Sequence, residues 1–268
     1  MKYSPKYFSD NLPKWKKKKD PIISRIIYRP LSFLTASVCA NLKISANAVS
    51  YFSILVGVAG CALFFVNNFI CNIVGAALVN LWLLLDCTDG NLARSVKKQP
   101  FGEFADSISS YVLVGFLGTA IGVCVFREGG IFFESGCLWL LLLGVFASEA
   151  DTLMRLIYHK YKSVEKEMAD SGITELEADK RTDHSQVGSL RVRIEAELGI
   201  GGILPLMVLL TTIFHCLDIT VFYCIAYYGG SCIVMSLLYI YKAIKKSRAA
   251  DKKDSNREIQ IEDNKENE

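Results

Sequence analysis

The chain has 268 residues, 51% of them hydrophobic, and carries 30 basic against 27 acidic side chains for a formal net charge of +3. A mean hydropathy of +0.30 alongside so many charges requires apolar and charged material to be segregated along the chain, which points away from a water-soluble globule and toward a membrane protein. The small positive excess, with no aromatic-interleaved basic face, also argues against nucleic acid as a partner.

In chain order, the first feature is Lys14-Trp15-Lys16-Lys17-Lys18-Lys19. Polar residues follow it rather than a compact apolar core, so the segment is expected to be retained and not cleaved as a signal. Arg25 to Leu42, interrupted by Pro30, reads as an amphipathic juxtamembrane helix that rests Ile26, Ile27, Leu31, Phe33 and Leu34 on the bilayer. The lysines would add attraction for anionic lipid, and a merely solvated basic segment is the alternative. Apolar stretches of spanning length then fall at 48–68, 70–92, 105–126, 131–157, 200–217 and 219–242. The expected architecture is an all-α integral membrane protein: residues 1–46 form a cytoplasmic segment with the juxtamembrane helix, and residues 47–245 a six-transmembrane-helix bundle. Residues 246–268, almost without apolar side chains, read as a disordered charged tail. Lysine and arginine concentrate in the N-terminus, residues 93–101, residues 158–196 and the tail, so the positive-inside rule puts both termini and the 93–101 hairpin in the cytoplasm. The nine cysteines lie singly with no C-x-x-C pair and read as small buried hydrophobes, while His159, His184 and His215 are too scattered to build a metal site.

Chemistry concentrates at the end of the second apolar stretch, in Asp86-Cys87-Thr88-Asp89-Gly90-Asn91-Leu92-Ala93-Arg94, followed by Gly102 and Asp106. On a helix Asp86, Asp89, Gly90 and Ala93 share one face, and Asp106 opens the next span across a short hairpin. Three carboxylates beside a membrane segment repel one another and are costly unless a cation lies among them. Oxygen-only donors suit Mg²⁺, Mn²⁺ or Ca²⁺ rather than zinc or copper. Gly90 and Ala93 leave room for a ligand to approach the backbone. Taken singly, each acid also reads as a helix cap or a surface group, and Arg94 as a topology signal where a span meets cytoplasm.

The spelling D-x-x-D-G-x-x-A-R-x7-G-x-x-x-D resembles the signature of the CDP-alcohol phosphotransferase family, membrane enzymes that transfer a phosphoalcohol from a CDP-alcohol to a second alcohol and release CMP. The resemblance implies two divalent ions, Mg²⁺ or Mn²⁺, held by Asp86, Asp89 and Asp106, a CDP-alcohol donor, an acceptor that is a lipid alcohol or a phosphoalcohol, and a homodimer in the membrane lipid. Gly90, Ala93, Arg94 and Gly102 are carried over as substrate-binding positions. The family's pattern continues with a fourth aspartate that acts as base; here that position is Ser110. Glu103, one turn before Asp106, is the nearest substitute. The departure opens an alternative, a catalytically weakened homologue that binds CDP-alcohol or partners an active subunit. A cation transporter is a third reading, one that gives no role to the glycine, alanine and arginine of the motif.

Ile44-Ser45-Ala46-Asn47-Ala48-Val49-Ser50 is similar to the family's Pro-Asn-x-x-Thr lead-in, with Ala46 for proline and Ser50 for threonine, which makes Asn47 a candidate nucleotide contact. Helix capping by Ser45 or Asn47 is the competing role. Lys19-Asp20-Pro21, Ser24-Arg25 and Arg29-Pro30-Leu31-Ser32 are similar to the lead-in of members that transfer polar phosphoalcohols. In the fourth stretch, Arg155 either pairs with Asp151 at helical i,i+4 spacing or holds an acceptor phosphate. Arg191 and Arg193 either line the cytoplasmic mouth or anchor a helix end.

Overall fold

A computed structural model describes residues 2–173 and 190–266, with the side chains of 190–192 and 251–266 left aside; His184 and much of the basic 158–196 connection lie outside the described residues. The described residues are built from helices alone. Two short helices, α1 (Pro5–Asp10) and α2 (Lys14–Lys19), lead through one π-helical turn, Ser24–Tyr28, into α3 (Arg29–Asn41). Pro30 lies in the first turn of α3, directly after the π-helical turn, and the chain stays helical through it from Ile22 to Asn41, with the regular α-helical ladder broken only by that π turn. Ile26, Ile27, Leu31, Leu34 and Val38 are exposed along one side of this stretch, while Arg29, Ser32, Ala36 and Ser37 on the other side are buried.

The bundle proper follows: α4 (Ala46–Leu63), α5 (Phe69–Ser95), α6 (Gly102–Glu128), α7 (Leu138–Asp170), α8 (Leu190–Leu198), α9 (Leu204–Ile213), α10 (Leu217–Cys224), a second π-helical turn at Ile225–Gly229, and α11 (Gly230–Glu266). Caps mark where the apolar runs begin. The Ser45 hydroxyl accepts from Ala48 N–H at 3.2 Å to start α4, and the Asn68 side chain accepts from Ile70 and Cys71 to start α5.

Helix pairs pack α4 on α5 and α6, α6 on α7, and α5 on α3 and α9. The α6–α7 crossing is close because glycines face each other: a Cβ on Gly144 would lie 2.4 Å from the Gly118 carbonyl oxygen, and one on Gly118 2.6 Å from that of Gly144. Gly60 and Gly75 bring α4 and α5 together in the same way. The core between them is led by Trp82, Leu83, Leu113, Leu117, Ile121 and Leu204. All nine cysteines are free thiols.

Four stretches are long and apolar enough to cross a bilayer: α4, α5, α6 and the run Leu217–Ala250 through α10 and α11. Six were expected. The stretch at 131–157 becomes α7, which at 33 residues is long enough but carries Glu149, Asp151 and Arg155 within its apolar half. The stretch at 200–217 becomes α9, whose 10 residues extend about 15 Å against a hydrocarbon core of ~30 Å. It is short because Gly199, Gly201 and Gly202 end α8 in a tight turn, with Ile203 N–H donating back to the Glu197 carbonyl at 2.9 Å. Helix α11 runs on to Glu266, past residue 245 where the disordered tail was expected to follow; alanine, lysine and glutamate in that segment favour helix.

Candidate functional site

Asp86 and Asp89 lie one turn apart near the end of α5, and Asp106 lies in the second turn of α6. Helical spacing points both α5 carboxylates to one side, and the 96–101 hairpin folds α6 back so that Asp106 meets them. The Asp86 and Asp106 carboxyls come close enough to act directly on each other, and both lie within electrostatic reach of Asp89. Two carboxyls in such contact need a proton or a cation between them. Asp89, 4% exposed, lies beside this pair and accepts from the Ser50 hydroxyl at 2.5 Å. Among the described residues, therefore, no three acidic, histidine or cysteine side chains form a ready-made metal cage.

Behind Asp89 runs a buried polar thread. Trp82 Nε1–H donates to Ser109 Oγ at 2.8 Å, the Ser109 and Ser53 hydroxyls meet at 2.6 Å, and Ser53 donates to the Ser50 carbonyl at 2.7 Å. Every hydroxyl proton has an acceptor along this direction, which leaves the Ser50 proton for Asp89. Sequence reading placed Ser50 only as the counterpart of a threonine; the link to Asp89 crosses from α4 to α5 and has no local signature.

The N-terminal elements roof the same region. Buried Arg29 forks onto Asp20, Nε to Oδ2 at 2.9 Å and Nη2 to Oδ1 at 2.8 Å, and Nη1 donates to Asn91 Oδ1 at 3.2 Å. Lys16 joins Asp20 at 3.2 Å, and its charge reaches Asp86 and Asp106. Asn91 also accepts from Arg94 at 3.2 Å and donates to Ser32 at 2.9 Å. Asp20 and Arg29 were read from sequence only as part of a family-like lead-in, and Lys16 and Asn91 were given no role at the site, because what joins the four is tertiary contact rather than spacing.

The remaining motif positions have specific neighbours. The space over Gly90 is taken up by the Arg94 guanidinium, 2.9 Å from where a Cβ would sit, while at Gly102 the Asn47 Oδ1 lies 3.3 Å from where that residue's own Cβ would sit. Ala93 is half-buried on the same helix. Asn47 clamps the hairpin: its N–H donates to Gln99 Oε1 at 3.1 Å and its Nδ2 to the Pro100 carbonyl at 2.9 Å. Asn47 Oδ1 itself is buried without a partner. Ser45, not Asn47, caps α4. Ser110 is half-buried and donates to the Ser107 carbonyl at 2.9 Å. Glu103 is exposed in the first turn of α6, near enough for Asp106 to feel its charge.

Arg155 stands apart from the carboxylates. Its Nε donates to Asp151 one turn earlier, and its guanidinium lies over the Tyr111 ring, 4.5 Å from the centroid. The Tyr111 hydroxyl meets His159 Nε2 at 2.7 Å. These side chains line a cavity of about 750 Å³ whose mouth also carries Lys16 and Lys19. Arg193 is exposed on α8 and the Arg191 side chain lies outside the described ones.

Compared with known proteins, the chain matches a family model described as CDP-alcohol phosphatidyltransferase over residues 43–224. That span is more than half of the chain and contains Asn47, the three aspartates, Ser110 and Arg155, while Lys16, Asp20 and Arg29 lie ahead of it. No curated protein matches.

Proposed function

The chain belongs to the CDP-alcohol phosphatidyltransferase family, and we propose that it moves a phosphoalcohol from a CDP-alcohol to an acceptor alcohol, a lipid or a polyol phosphate, with release of CMP. The observation that carries this reading is the meeting of Asp86 and Asp106 across the hairpin with Asp89 beside them. The donor set is oxygen only and strongly anionic, which fits a hard divalent cation. Asp86, Asp89 and Asp106 would hold Mg²⁺ or Mn²⁺, two ions in all, whose chemistry is to neutralise the diphosphate and stabilise the leaving phosphate.

The chain's own residues do the rest. The acceptor oxygen forms its bond to the β-phosphorus as the bond to the bridging oxygen breaks, and CMP leaves with that electron pair. The hydroxyl proton passes to a carboxylate. Ser110, in the base position, already spends its proton on the Ser107 carbonyl and has no carboxylate to offer, so Glu103 on the same helix is proposed as the acceptor of the proton. Arg94, held over Gly90, and Asn47, with its free Oδ1, are proposed to contact the nucleotide side. Positioning and charge neutralisation then supply most of the acceleration. The protein is read as a homodimer in the membrane, with α7 as a further span beside the four apolar ones and both termini in the cytoplasm, where nucleotides are found.

The Ser110–Ser107 bond also favours a second reading, a weakened homologue that binds CDP-alcohol or supports an active partner. CMP release in liposomes with Mg²⁺ or Mn²⁺ separates the two. Turnover in the wild type that is lost in Asp89→Asn and in Glu103→Gln supports the enzyme. A wild type silent with lipid and polyol acceptors, and awakened by Ser110→Asp, supports the weakened homologue; general-base effects of ~10²–10⁴ make that gain measurable.

A further inference from the structure

The 750 Å³ cavity beside Arg155 has two chemically distinct ends. Its polar lining includes Lys16, Lys19, Asp151, Arg155 and His159, of which Lys16 lies within electrostatic reach of the motif aspartates; toward α11 it is walled by Ile200, Val234, Met235 and Leu238. Val234 lines the cavity and is also 63% exposed on the apolar outer face of α11, so this end opens sideways onto the lipid. The volume, equal to that of roughly 25 liquid waters, exceeds what a compact polyol phosphate needs and falls in the range of pockets that enclose a larger ligand.

The polar end is built for a hydroxyl rather than an anion. The Arg155 charge is already answered by Asp151 and by the Tyr111 ring. Two buried atoms there have no hydrogen-bond partner: Asp151 Oδ1, in a residue 1% exposed, and the Tyr228 hydroxyl, in a residue 5% exposed. The two residues lie within electrostatic reach of each other. One is an acceptor and the other both donor and acceptor, which is the complement of an alcohol group: its proton goes to Asp151 and its oxygen accepts from Tyr228. A phosphate would instead bring its oxygens against a carboxylate that cannot donate.

We infer that this cavity binds a lipid whose head is an uncharged hydroxyl group, with the chain leaving between α8 and α11; that this lipid is the acceptor rests on the transferase reading above. The test uses full-length protein in liposomes and a monoacylglycerol carrying a mid-chain diazirine. Photolabelling should cluster on residues 194–201 and 234–238 and be displaced by unlabelled monoacylglycerol but not by glycerol phosphate. Tyr228→Phe, which removes only the hydroxyl, should weaken labelling about two- to tenfold, the worth of one neutral hydrogen bond. Val234→Trp, which fills the side opening from an exposed position, should abolish it. Labelling spread evenly over the lipid-facing helices, displaced by glycerol phosphate, or indifferent to both variants overturns the inference. CMP release with a polyol phosphate alone also overturns it while leaving the transferase reading intact. Clustered, variant-sensitive labelling without CMP release from any acceptor supports the lipid site and removes the transferase reading instead.

Discussion

Ser50→Ala should damage the carboxylate centre without touching a motif aspartate. Ser50 is 3% and Asp89 4% exposed, and their 2.5 Å contact is a hydroxyl-to-carboxylate hydrogen bond shielded from water. Among the described residues the other acceptor for this proton is the Ala46 carbonyl at 3.2 Å, a longer and weaker alternative. Alanine removes the donor and leaves one Asp89 oxygen buried and unsatisfied. Hydrogen bonds to charged groups contribute about 1.5–3 kcal/mol, or roughly 10- to 150-fold in any equilibrium that depends on Asp89 being held in place. The expected result is a loss of that size in CMP release, with the midpoint for Mg²⁺ activation displaced and the protein still monodisperse in detergent. Ser50→Thr keeps the hydroxyl and should recover most of the loss. If Ser50→Ala matches the wild type in turnover and metal midpoint, or if threonine fares no better than alanine, the hydroxyl does not position Asp89.

Other expectations concern assembly and topology. Gly144→Ala should destabilise the bundle by about 1–3 kcal/mol, read as a lower melting temperature in detergent, because its Cβ would meet backbone atoms of Gly118 and Gly122 that cannot rotate away; an unchanged melting temperature would show that the helices separate freely. At the far end of α7, burial pushes the Glu165 carboxyl up, but hydrogen bonds from Lys162 and Lys246 outweigh it and hold the group below the usual carboxylate range. A depressed carboxyl stabilises above its unfolded value, so the link from α7 to α11 should be intact at neutral pH and lost as pH falls below about 4. Amide exchange across residues 240–250, corrected for its intrinsic rate, should accelerate there, and Glu165→Gln should show the acceleration already at pH 7; equal protection in both proteins would refute the link. A cysteine placed at exposed Lys97 should react with an impermeant maleimide in inverted vesicles only, whereas labelling of sealed cells would overturn the cytoplasmic assignment of the hairpin.

The aspartate motif was legible because its information is local: three- and four-residue spacings on one helix, then a hairpin too short to turn Asp106 away. The four strongest spans were legible for the same reason. Hydropathy failed at 200–217, since a window average passes over Gly199, Gly201 and Gly202, which end a helix and leave α9 too short for a bilayer. It also gave no warning that α7 would carry Asp151 and Arg155 to the wall of a cavity rather than to lipid. Contacts that join distant parts of the chain left no trace in one sequence: Ser50 with Asp89, Arg29 with Asp20 and Asn91, Lys16 with the carboxylates. Each depends on which helices become neighbours, and spacing along the chain does not encode that.

The glycine contact between α6 and α7 acts as a gauge block. Asp106 stands on one of these helices and Asp151 and Arg155 on the other, and where backbone touches backbone neither helix can slide or roll without a collision. The separation between Asp106 and the cavity wall at Asp151 and Arg155 is thus machined into the main chain. The opposite wall, formed by α8 and α11, shows no such glycine contact with α6 among the described residues. On the transferase reading proposed above, a change of acceptor can therefore be written on that wall alone, while the spacing set by the two glycine-bearing helices stays as it was.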